Sequence, residues 1–205
     1  MHFVVGSQYA WGAMAIYIVG YFRMIGNLEA NMSQFYLVLP LIVIVSTVFF
    51  PLGMETARHF GSRTAVAIGG TIIVLTTFCS TFTSSPTAFF IVYAVGFGIG
   101  KGFLYPAPLV AGWSHLEDRK GLVSGMIVSG LGFGALTFGL IVSFIVNPDN
   151  LVPQKFEVEP GIEEAYFESV VSERVPRMLH TLSIIYFGIL LIGFLAMSNF
   201  KPTEE

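Results

Sequence analysis

Six long apolar runs fill most of this chain, at residues 3–22, 35–54, 65–83, 88–112, 121–146 and 179–199. A helix needs about 20 apolar residues to cross the hydrocarbon core of a bilayer. In lipid the backbone must satisfy its own hydrogen bonds, and a helix does so within one segment. Each run therefore predicts a membrane-spanning helix. Residues 1–205 read as a single all-α, polytopic domain, a six-helix bundle. Only 11% of residues are charged, against about 25% in soluble domains, as expected where the outer surface faces lipid. Any chemistry must then lie between helices.

Several classes drop out at once. A net charge of −3 gives no basic surface for nucleic acid. The single cysteine, Cys79, allows neither a disulfide framework nor a thiol metal site within the chain, and it reads as a small apolar helix residue. No Ser/His/Asp set, metal-ligand cluster or phosphate loop occurs at workable spacing, so neither an enzyme nor a cofactor is expected. Only Met1 and His2 precede the first run, and no small-residue cleavage site follows it. It reads as a membrane helix rather than a signal peptide.

Six crossings put both termini on one side. The 2–3 connection carries Arg58, His59 and Arg63, the 4–5 connection Arg119 and Lys120, and Lys201 follows the last run. The opposite connections hold Arg23 at a helix end and the uncharged Ser84-Ser85-Pro86-Thr87. This bias predicts termini in the cytoplasm, or in the matrix if the membrane is mitochondrial. Residues 147–178 form the one long connection, acidic and outside the membrane. Within it Ile162, Tyr166 and Val170 suggest a short amphipathic helix over Gly161 to Arg174. That segment reads as a cap over the bundle or as a docking surface.

Membrane helices approach closely where side chains are small. The fourth run holds Gly96, Gly98, Gly100 and Gly102; the fifth holds Gly121, Gly125, Ser129, Gly130 and Gly134. These predict tight crossings. Tyr105-Pro106-Ala107-Pro108 removes backbone donors and predicts a kink in the fourth helix, with Pro40 and Pro51 acting similarly in the second.

Lys101 stands deep in the fourth run. A charge there is costly and faces a cavity or a partner by default. No acid in the first five runs lies at comparable depth, since Glu29 is in a connection and Glu55 at a helix end. Three readings stay open: an anion site, an ion pair with a separate partner, or a lysine snorkelling to the interface. Gln8 and Tyr9, in the first run, would add hydrogen bonds to a ligand.

The segments Phe60-Gly61-Ser62-Arg63, Trp113-Ser114-His115-Leu116-Glu117-Asp118-Arg119-Lys120-Gly121 and Ser129-Gly130-Leu131-Gly132-Phe133-Gly134-Ala135, with Tyr9-Ala10-Trp11 and Val175-Pro176-Arg177-Met178-Leu179, resemble the major facilitator superfamily. The likeness is to its oxalate/formate antiporter-like and monocarboxylate transporter-like branch, over nearly the whole chain. It implies the N-terminal six-helix half of a carrier for small carboxylate anions. Such a half works by alternating access with a second half. The resemblance points to positions near Tyr9 and Phe103 as substrate contacts in this half, with the family's principal cationic contacts in the second half; Lys101, Gln8 and Tyr105 are candidates read from the residues themselves. The family's gating loop reads Gly-x-Leu-x-Asp-Arg-x-Gly-x-Arg. Aligned on Gly61, this chain keeps only Gly61 and Arg63, with Arg58 in place of the acid and Glu55 as the nearest compensating carboxylate. That departure supports an alternative, a transporter-derived structural or accessory subunit of a larger membrane complex, a mitochondrial one among the options, without transport of its own.

Overall fold

In the computed structural model, residues 1–159 and 162–197 are described. Six helices are long and apolar enough to cross a membrane: α1 (His2–Met24), α2 (Met32–His59), α3 (Ser62–Ser80), α4 (Pro86–His115), α5 (Glu117–Val146) and α6 (Ser169–Ala196). The chain is an all-α, multi-pass bundle in which α1 is central. Val5, Met14, Ile18 and Phe22 of α1 are fully or almost fully buried. Around it, α5 turns Leu122, Met126, Phe133, Leu136 and Phe144 outward, an apolar surface suited to lipid or to another apolar partner.

α4 owes its place to glycines on two faces. A Cβ at Gly98 or Gly102 would meet Val45 or Phe49 of α2, and one at Gly96 or Gly100 would meet Thr76 or Ile73 of α3. Spacing of four within each pair gives each neighbour one bare stripe. α4 is therefore wedged between α2 and α3. Its third stripe, Phe97, Lys101 and Leu104, is buried and contains the lysine. The prolines leave only a local irregularity in α4: α-helical stretches end at Leu104 and resume at Pro106, while Tyr105 between them keeps helical angles of φ −66° and ψ −49° and donates to Lys101 O at 2.9 Å. A six-residue π-helical stretch, Phe90–Val95, precedes them.

The structure corrects four expectations. First, the second helix does not end at residue 54. It continues to His59, so Glu55, Arg58 and His59 are helical and the 2–3 connection shrinks to Phe60 and Gly61. Gly61 has φ of 89°, a conformation that favours glycine. Second, Pro40 lies in the first turn of Val38–His59, where no intrahelical donor is needed, and the helix runs on through Pro51.

Third, the acidic segment is a β-hairpin rather than an amphipathic helix. β1 (Gln154–Glu159) pairs antiparallel with β2 (Ile162–Tyr166), and Gln154 faces Tyr166 in register. Only Ser169–Ser172 is helical there before Val175. The stripe Ile162, Tyr166, Val170 has even spacing, so it fits a strand's period of two as well as a helix. The hairpin leans on α1: Arg23 sits over the Tyr166 ring at 4.6 Å. Tyr17 stacks on Phe167 at 4.8 Å. Gly161, the expected start of that helix, lies outside the described residues, as do residues 198–199 of the sixth run and Lys201.

Fourth, the α5 glycines divide. Gly134 packs against Phe3 and Gly6 of α1, and Gly130 against His2 and Phe3. A Cβ at Gly121 or Gly125 would meet nothing, and Ser129 is exposed. That stripe lies on the outward side of α5.

Candidate functional site

An open cleft of about 310 Å³ lies between α1, α2 and α4, lined by Tyr9, Val43, Ser46, Thr47, Phe50, Pro51, Lys101 and Tyr105. α2 and α4 each contribute a stripe, and α1 contributes Tyr9. Positions 43, 46, 47, 50 and 51 share one face of α2, and 101 and 105 are one turn apart on α4. Lys101 is the only charged residue in this lining.

Lys101 is 8% exposed and its Nζ donates to Gln8 Oε1 at 3.1 Å. Gln8 is fully buried. A neutral amide thus orients the ammonium without cancelling its charge. The Gln8 Nε2 has no partner among the described residues, nor has either ring nitrogen of His2. His2 packs against the Tyr105 ring at 4.5 Å, so a second polar ring adjoins the cleft behind Tyr105. Buried polar atoms of this kind are normally satisfied, often by water or a ligand.

The cleft's hydroxyls differ in what they can give. Ser46 and Thr47 each donate to Val43 O at 2.9 Å, so their oxygens present acceptor lone pairs inward. Tyr9 is half exposed, and its phenol and that of Tyr105 are the hydroxyl donors in the same lining as Lys101. One cation with two phenols suits a small anion carrying an oxygen pair. The apolar wall of Val43, Phe50 and Pro51 suits a short carbon chain.

Of the residues singled out from the sequence, Lys101, Gln8, Tyr9 and Tyr105 converge. Phe103 does not. It faces α2, 6.4 Å from the Phe49 ring, because position 103 is about 160° around the helix from Tyr105's side of α4 at 100° per residue. Ser46, Thr47, Phe50 and His2 were not singled out. The two hydroxyls, adjacent within an otherwise apolar run, were the legible signal.

The loop charges are held locally. Glu55 pairs with Arg58 at 3.6 Å and with His59 at 3.0 Å, all on α2 and all well exposed. Such surface pairs contribute about 0–1 kcal/mol. Arg63 lies over the Phe194 ring of α6 at 4.8 Å.

Known proteins with related sequences are carriers. The chain is 28% identical to the Apicoplast pyruvate carrier 1 of Toxoplasma gondii, over 94% of this chain and 43% of the relative. It is 23% identical to Apicoplast pyruvate carrier 2 of the same organism, over 100% of this chain and 37% of that one. Monocarboxylate transporter 14 of Mus musculus is 26% identical over 69% of this chain and 27% of its own length. The relationship is to monocarboxylate-transporter-like proteins. No family model matches the chain. The chain spans less than half the length of these relatives. They are named as carriers and transporters, not as enzymes, and the chain is an integral, multi-pass membrane protein.

Proposed function

We propose that this chain is one six-helix half of a carrier for small monocarboxylates, with the Lys101 cleft as its share of the substrate site. The observation that carries this reading is the buried ammonium of Lys101, open to a cleft and partnered by a neutral amide. A charge kept at that depth without a counter-ion is suited to an anion that arrives and leaves. The carboxylate would bond Lys101 and the Tyr9 and Tyr105 phenols, and its carbon chain would lie against Phe50 and Pro51. The relatives' names, pyruvate carrier and monocarboxylate transporter, support the substrate class. A second six-helix half would close the cleft's open side, and rocking of the halves would expose the site alternately to each face of the membrane.

Uptake of labelled pyruvate into proteoliposomes that hold the chain assembled with its second half tests this. Lys101→Met is expected to cut uptake at least tenfold, since a charge-assisted hydrogen bond contributes roughly 1.5–3 kcal/mol, and Lys101→Arg to retain part of it. Uptake unchanged in Lys101→Met would remove the site from the pathway.

A second reading has its own observation. Arg58 stands where the related loop carries an acid, and its charge is tied to Glu55 within the same helix. A chain without that lock fits a structural or accessory subunit. Purification in mild detergent separates the two: a companion six-helix segment supports the carrier, and a fixed set of unrelated membrane subunits supports the scaffold.

A further inference from the structure

The Lys101 cleft has a polar end and an aromatic end. α2 and α4 run side by side in the same direction, since Gly98 faces Val45 and Gly102 faces Phe49. Lys101 and Thr47 lie at one end, and Tyr105 and Phe50 lie about one turn further along the same two helices. α1 runs the opposite way, bringing Gln8 to Lys101 and His2 to Tyr105. The His2 ring packs on Tyr105 at 4.5 Å and the Phe50 ring at 5.9 Å. Three rings from three helices thus cross that end of the cleft, with Tyr105 in the middle.

Beyond the rings lies a second space. A cavity of about 550 Å³ is bordered by His2, Phe3, Pro108, Gly112 and Gly130. Tyr105 borders the cleft and His2 borders this cavity, so one pair of packed rings parts the two. Distance then decides what the cleft holds. Lys101 and Tyr105 are about 6 Å apart along the helix axis. A charge-assisted bond from the ammonium to a carboxylate takes about 2.8 Å of that. The remainder is about two carbon–carbon bonds of ~1.5 Å each. A three-carbon acid fits that span, and a longer tail meets the Tyr105 ring.

We propose that Tyr105, braced by His2 and Phe50, sets the length limit of the carboxylate, and that the cavity behind it is the space a longer chain would need. The limit rests on the carrier role proposed above and adds a steric role to Tyr105: its phenol bonds the carboxylate, and its ring stops the tail.

The test uses the chain assembled with its second half in proteoliposomes. Unlabelled straight-chain 2-oxo acids of three to six carbons compete with labelled pyruvate. The same acids are read by the thermal shift of the assembled protein, which needs no turnover. In the wild type, competition should weaken with each added carbon. Tyr105→Ala joins the cleft to the cavity, so competition should instead strengthen about fourfold per added methylene, the effect of burying one CH₂. Tyr105→Phe loses the phenol and keeps the ring, so it should weaken every acid alike and preserve the wild-type order. That split separates a steric limit from a lost hydrogen bond. Where Tyr105→Ala does not fold, Tyr105→Leu decides, and the longer acids should gain on pyruvate there too. A wild-type order that ignores length, or the wild-type order persisting in Tyr105→Ala or Tyr105→Leu, would overturn the limit. A folded Tyr105→Ala that takes none of the acids would overturn it as well. None of these results bears on the carrier role, which fails separately if Lys101→Met leaves pyruvate uptake unchanged.

Discussion

At the scale of single residues, the pairing of Lys101 with Gln8 sets the chemistry of the bundle's interior. Gln8 is 93 positions away and fully buried, so replacing it removes the ammonium's acceptor while leaving the charge in place. Gln8→Leu should destabilise the chain by about 1–3 kcal/mol, the cost of stranding a buried polar group. Lys101→Met added to Gln8→Leu should recover much of that loss, because an apolar pair of similar shape leaves nothing stranded. Denaturation of the four proteins in detergent gives the coupling; strictly additive effects would show that the contact is not energetically joined. Lys101 was legible as a residue of consequence from depth alone. Its partner was not, because a search for charge balance looks for acids, and the answer here is an amide that the sequence suggested only as a ligand contact.

Among elements, the glycines separate into those that let helices touch and those that touch nothing. A Cβ at Gly53 would run into the Gly102 carbonyl, and one at Gly134 into the Phe3 carbonyl. Backbone cannot yield as a side chain does, so Gly53→Ala and Gly134→Ala should each cost about 1–3 kcal/mol through overpacking. Gly125→Ala meets open space and should be neutral or gain up to about 1 kcal/mol from helix propensity. Thermal unfolding in one detergent ranks the three, and a loss in Gly125→Ala equal to the others would contradict the assignment of faces. The six spans were legible because span length and hydropathy are local properties. Which glycines face inward was not, because both stripes of α5 repeat every four residues and the sequence does not say which one looks at α1. The hairpin at Gln154–Tyr166 escaped for a related reason. Its stability comes from strand pairing and from Arg23 and Tyr17 on α1, contacts that a helical count within one segment does not register.

For the whole molecule, the question is what lies against α2 and α5. Leu52, Ile44 and Val48 of α2 and Met126 and Leu136 of α5 are more than half exposed, and lipid alone would satisfy them. Lipid, however, makes no use of small residues, whereas helices need them to approach. The outward stripe Gly121, Gly125 and Ser129 is therefore better suited to another helix than to acyl chains, and the Lys101 cleft is walled by α2 and open on one side. The proposed second half would meet the chain on this surface. Gly125→Leu puts bulk where nothing among the described residues is close and Ser129→Leu puts it at an exposed position, so each should leave the thermal midpoint of the purified chain nearly unchanged. In the assembled carrier the same variants should lower pyruvate uptake at least tenfold, the effect of about 1.4 kcal/mol lost from one interface contact. Ile184→Phe, on the exposed face of α6, is the matched control and should do neither. Uptake that falls equally in all three variants, or in none, would place the partner elsewhere and leave the small stripe of α5 to the bilayer.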